Sequence, residues 1–147
     1  MSDQQIEQEI QDKGLTAPRV TPQRISDVIA SEHYFTAGDG AHGACLAAGG
    51  ERSCYSASLD LLTFCVLILK NGFTVTGEIA CASPENFSAE LGRKIARENA
   101  INKVWMLEGY LLKQQLHDAK NAVVLTDADA LADLNGTPRP DNPSVAS

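Results

Sequence analysis

The sequence predicts an α+β domain: a short N-terminal helix, a β-hairpin in a small antiparallel sheet, and one long C-terminal helix packed across it. Three observations carry that prediction. Thr21-Pro22 opens a run with helical spacing, Asn71-Gly72 separates two β-rich runs, and apolar residues recur at helical intervals after Ser83. A length of 147 residues fits one domain with a real core.

Residues 1–20 are rich in Gln, Asp and Glu and read as a flexible polar arm. Thr21 then offers an N-cap with proline at the first helical position. Ile25, Val28 and Ile29 at i, i+3 and i+4 give this helix its apolar stripe, which places its end near Glu32. Residues 38–58 are rich in Gly, Ala and Ser and read as a loop. Loops that long in compact domains are usually functional or disordered.

The hairpin is the clearest signal. Leu61 to Leu69 leads into Lys70-Asn71-Gly72-Phe73, and Thr74 to Ile79 follows. A two-residue type I′ turn at Asn71-Gly72 would pair Ile68 with Val75, Val66 with Gly77 and Phe64 with Ile79, an apolar core face. The other face would combine Cys65, Leu67 and Leu69 with Thr74, Thr76 and Glu78, half apolar and in need of cover. Two strands alone are marginal, so further pairing is expected from elsewhere in the chain or from a second copy.

Ser83-Pro84 or Ser88 starts the long helix. Ala100, Val104, Leu107 and Leu111 form one stripe, widened by Ile101, Trp105, Leu112 and Leu116. About 30 helical residues span about 45 Å, more than a hairpin needs, which points to a homodimer or higher oligomer paired through this helix. The folded unit is thus 21–118. Residues 119–147 form an acidic, proline-containing tail expected to be mostly disordered.

Composition narrows the function. Twelve Lys and Arg against 19 Asp and Glu give a net charge of −7, which argues against binding a nucleic acid polymer. Aromatics at 5% argue against a stacking platform for single strands. No stretch is long and apolar enough to span a membrane, and the N-terminus has no basic or apolar region of a secretory signal. Four cysteines without such a signal read as reduced thiols in a cytoplasm.

Three segments form the blocks of one ordered pattern. The first runs from Ile29 through Tyr34, Phe35 and Thr36 to Asp39-Gly40. The second joins Leu62-Thr63-Phe64-Cys65-Val66-Leu67 to Asn71-Gly72-Phe73-Thr74-Val75-Thr76-Gly77-Glu78. The third links Ala80-Cys81-Ala82-Ser83-Pro84-Glu85-Asn86-Phe87 through Gly92-Arg93-Lys94-Ile95-Ala96-Arg97 to Trp105 and Leu112. Met106 stands where the pattern has proline, and His42–Tyr55 lies outside it. In order and spacing these blocks resemble the gene 49/gene 66 family of small tailed-phage accessory proteins, which implies a phage protein working in the host cytoplasm. The plan of hairpin and helix is also similar to phage anti-defence sponges, which bind cyclic nucleotide or cyclic ADP-ribose signals and blind host systems such as Thoeris or CBASS.

The candidate ligand residues follow from that chemistry. Arg93 and Arg97 lie one helical turn apart and suit a diphosphate. Phe87 offers a stacking face near a helix N-terminus that favours anions, while Asn86 and Asn99 offer polar edges. The plainer alternative is a solvated helix face with Glu90–Lys94 and Lys94–Glu98 pairs. Glu32 and His33 suit an acid and base, a ribose contact or, more plainly, a helix C-terminus. No catalytic order of Ser, His and Asp or of Cys and His is legible, so no enzyme activity and no cofactor are expected. His33, His42, Cys45 and Cys54 lack a second tight pair of ligands, so no metal site is expected. The alternative function is host takeover or an accessory role by protein–protein binding through the half-apolar sheet face.

Overall fold

A computed structural model describes residues 2–15, 17–50 and 55–135, with side chains through residue 122. The element order is α1 (Asp3–Asp12), α2 (Pro22–Val28), β1 (Ile29–Thr36), α3 (Ala37–Ala47), β2 (Leu62–Leu69), β3 (Thr74–Ala80) and α4 (Ala89–Asn135). The α+β class and its main parts are those the sequence predicts. Two compact units divide the chain at residues 108 and 109, within α4.

The first unit holds the sheet. Its order is β1-β2-β3, antiparallel throughout. The extra pairing that the hairpin needs therefore comes from within the chain. Residues 29–36, expected partly as helix, form the strand β1 instead. Thr21 does cap α2, accepting from the Arg24 N–H at 3.1 Å, but the helix ends at Val28. The reason is legible afterwards: Ile29 to Thr36 is rich in β-branched and aromatic residues, and pairing with β2 outweighs a short helical stripe.

The hairpin register differs by one residue from expectation. The Gly72 N–H donates to the Leu69 carbonyl and the Leu69 N–H to the Phe73 carbonyl, both at 2.8 Å. Gly72 has φ of 87° and no described non-glycine residue has positive φ. The loop is thus three residues, Lys70 to Gly72, with a left-handed glycine at its end, not a type I′ pair. One extra loop residue turns β2 over. Leu67 pairs with Val75, Cys65 with Gly77 and Thr63 with Ile79. Cys65 and Leu67, expected on the outer face, are fully buried, and Leu69 is buried with them. The outer face instead carries half-buried Phe64, Val66 and Ile68, with exposed Phe35 stacked on Phe64 at 5.8 Å between ring centroids.

α4 covers the inner face. Ala96, Ala100 and Val104 have no exposed surface and pack with Cys65, Leu67 and Val75, while Ile25 and Val28 of α2 complete the core. The helix lies close because Gly77 has no side chain: a Cβ there would sit 2.1 Å from the Ala96 carbonyl oxygen and 2.3 Å from the Ala100 nitrogen. Small residues on both partners let the two backbones meet. Glu108, nearly buried, accepts from Arg24 at 3.1 Å and ties α4 to α2.

Three further segments depart from expectation. The N-terminal arm forms α1, because Ser2 and Gln5 make a reciprocal capping box and Arg19 pairs with Glu7. The Gly- and Ala-rich loop forms α3 over Ala37–Ala47, started by a second capping box between Thr36 and Asp39. Residues 51–54 of that loop lie outside the described residues. Cys45 is disulfide-bonded rather than a reduced thiol, whereas Cys65 and Cys81 are free. In the second unit α4 continues to Asn135, so part of the expected tail is helical, and residues 136–147 lie outside the described residues. Its side chains Tyr110, Leu111 and Leu116 are exposed.

The Glu7–Arg19 pair predicts a pH effect. The Arg19 guanidinium holds the Glu7 carboxyl down to about 2, from an ordinary 4.5. A carboxyl with a lowered folded value supports the fold fully above its ordinary value and loses that support as the pH falls through the lowered one. The anchoring of α1 should thus be complete above about 4.5 and gone near 2. NMR titration of the Glu7 carboxyl checks this, and Arg19→Gln should return its titration to the ordinary range. Titration near 4.5 in the unaltered protein would mean that the pair does not form.

Candidate functional site

The candidate site lies where α4 begins over the sheet. Ser88 sets the start of the helix: its hydroxyl accepts from the Leu91 N–H at 3.2 Å and its carbonyl from the Gly92 N–H at 2.8 Å. The preceding turn, Pro84–Asn86, delivers Phe87 half-buried beneath that end. Two clefts flank Phe87. The larger, about 290 Å³, opens on the β3 side between Ile79, Cys81, Asn86, Leu91 and Ile95. The smaller, about 120 Å³, opens on the β1 side between Tyr34, Asp39, Phe87 and Arg93. Thr63 of the central strand lines both.

The six sequence-predicted residues do not stay together. Phe87, Asn86 and Arg93 do: Phe87 divides the clefts, Asn86 lines the larger and Arg93 the smaller. Arg93 has no ion pair among the described residues. Arg97 is occupied. Its Nε donates to Glu32 Oε1 at 2.9 Å and its terminal nitrogen lies 2.8 Å from the same oxygen. Asn99 is also occupied, donating to the Glu78 carbonyl at 2.9 Å, which fastens α4 to β3. His33 is on the far side of the sheet. It pairs with Val66 in register, on the outer face, and its ring meets the Ser31 hydroxyl at 3.0 Å. Strand alternation separates it from Glu32, which faces α4. His33 is thus neither at a helix C-terminus nor beside the arginines.

Glu32 centres a polar network between sheet and helix. Tyr34 donates its hydroxyl to Glu32 Oε2 at 2.8 Å while Arg97 holds the other oxygen. The Arg97 hydrogen bond keeps the Glu32 carboxyl below the usual carboxylate range, against the opposing effect of burial. Burial, and then the bond to Glu32, push the Tyr34 hydroxyl well above its ordinary value. Burial likewise raises the neighbouring Cys65 thiol, which is therefore not a poised nucleophile.

Tyr34, Asp39 and Thr63 belong to the site and were not anticipated from sequence. Alternation along Glu32, Tyr34 and Thr36 was the available signal, and it is visible only once 29–36 is read as a strand. Asp39 enters through the capping box of α3, where its Oδ2 accepts from the Thr36 N–H at 2.9 Å. No group of three or more metal-ligating side chains occurs among the described residues.

The fold thus defines a small α+β protein with two clefts around one aromatic ring, one mostly apolar and one lined by both Arg93 and Asp39. The profile of the phage protein family N4 Gp49/phage Sf6 gene 66 matches residues 20–116, about two thirds of the chain, and the chain belongs to that family. No curated protein and no solved structure matches it. No helix among the described residues is long and apolar enough to cross a membrane.

Proposed function

We propose that this phage protein binds and sequesters a nucleotide-derived immune signal, a cyclic ADP-ribose isomer or a cyclic oligonucleotide, without chemically altering it. The observation that carries this reading is Arg93, a cation with no ion pair among the described residues, set beside Phe87 in the early turns of α4. A phosphate placed there meets the guanidinium and the positive end of the helix. The apolar cleft on the other side of Phe87 suits a base, with Asn86 at its edge. Arg97, Asn99 and His33 are not contacts in this reading. The protein works in the host cytoplasm by stoichiometric capture, as a homodimer or higher oligomer, so release must be slow.

Thermal shift against cyclic ADP-ribose isomers and cyclic di- and trinucleotides tests the proposal. A ligand of the folded state at 100 times its Kd adds about 2.7 kcal/mol, several degrees for a chain of this size. The ligand should also return intact after heat denaturation. No shift across the panel, or recovery of a degraded ligand, overturns the reading.

A second reading, host takeover or accessory action by protein–protein binding, has its own observation. Phe35 is 41% exposed and stacks on Phe64 on the outer sheet face, beside Val66 and Ile68. In this reading Phe35→Asp abolishes partner capture and leaves any nucleotide response unchanged.

A further inference from the structure

α1 lies outside the residues matched by the family and leaves a gap beneath it. Ile6 and Ile10, one turn apart, face Val20 and Trp105 across a cleft of about 280 Å³. The cleft is open to solvent, with Ile6 exposed at its rim. Here a helix that is well capped and tethered by the Glu7–Arg19 pair still buries no residue fully. Its isoleucines line the space without filling it.

The chemistry of the lining is one-sided. Apolar side chains and the Trp105 indole make up most of the wall, and the charged groups among the lining residues are the carboxylates of Asp3 and Glu7. Glu7 is neutralised by Arg19 and also accepts from Gln11 at 3.0 Å. Asp3 has no ion pair among the described residues. An aromatic face together with one unneutralised carboxylate suits a ligand with a flat apolar body and a single cationic head.

We infer that the cleft between α1 and Trp105 is a second binding site, selective for small organic cations of the aryl-ammonium type. It shares no lining residue with the clefts around Phe87 and does not depend on the nucleotide reading.

Trp105 is the single tryptophan of the chain, so its emission reports on this cleft alone. The full-length protein is titrated with benzyltrimethylammonium, with benzyl alcohol as the neutral probe and benzoate as the anionic one. The expected result is a saturable change in Trp105 emission with the ammonium only. Asp3→Asn, an exposed change that leaves the fold intact, should weaken that binding by about fivefold, within the range of one cation–carboxylate contact. Arg93→Ala should leave it unchanged, which keeps this site distinct from the nucleotide proposal. A response absent with the ammonium, equal with benzyl alcohol, or unaltered by Asp3→Asn would overturn the inference.

Discussion

Gly77→Ala is expected to unfold the protein or to cost about 4 kcal/mol or more, among the largest effects a single methyl group can have. The new Cβ would lie 2.1 Å from the Ala96 carbonyl oxygen and within 3 Å of the Ala100 nitrogen and Cα. All three are backbone atoms of a helix whose side chains there are already alanine, so no rotamer change relieves the clash. Relief requires moving α4 off the sheet, which opens the core at Leu67 and Val104. Gly109→Ala is the matching control. That glycine also lies in α4, nothing lies within 4 Å of its would-be Cβ, and the change should stabilise the helix by about 1 kcal/mol. Chemical denaturation of both variants checks the pair. Near-equal midpoints would show that α4 does not touch the sheet at Gly77.

Under the proposed capture of a nucleotide signal, Arg93→Ala should weaken binding by about tenfold, as for one exposed charge-assisted contact, and leave the melting temperature within about a degree of the parent. Arg97→Ala should do the reverse. It leaves Glu32 without its cation, and the Glu32 carboxyl should titrate upward toward its ordinary range. Solvent screens this pair, since both side chains are about one-third or more exposed, so the stability lost stays near about 1 kcal/mol. The sign is fixed by the lowered value: the contribution is full above the ordinary carboxylate range and disappears as the pH falls through the folded one. Binding assays and melting curves on the two variants separate a contact from a brace. Loss of capture in Arg97→Ala with an intact Arg93→Ala would reverse the roles assigned here.

Much of the fold was legible in the sequence because local signals agreed with the global arrangement. Thr21-Pro22, the β-rich runs around Asn71-Gly72 and the stripe through Ala100 and Val104 each correspond to an element. The small residues Ala96 and Ala100 lie against Gly77 of the hairpin. What failed was parity. A loop of three residues rather than two reversed the faces of β2, and nothing in the composition of Lys70-Asn71-Gly72 separates those lengths. β1 was missed because Ile25, Val28 and Ile29 fit a helical stripe, while the partner of residues 29–36 lies about 30 residues away. Separation along the chain also hid the arginine assignment. Arg93 and Arg97 look equivalent on a helix, and only Glu32, 65 residues from Arg97, makes one a brace and leaves the other open.

The segment between β1 and β2 has a consequence for how such a protein can be altered. These strands are neighbours in the sheet, yet the chain between them builds α3 and contributes Asp39 to the rim of the smaller cleft. Lengthening a surface connection costs little, since closure entropy grows only with the logarithm of its length. The floor of the site, Thr63 and Phe87, is set by the sheet and the start of α4 and cannot drift without disturbing the core. The wall can therefore be lengthened or exchanged while the floor stays fixed, so grafting a different segment in place of α3 should reshape the smaller cleft and leave the sheet folded.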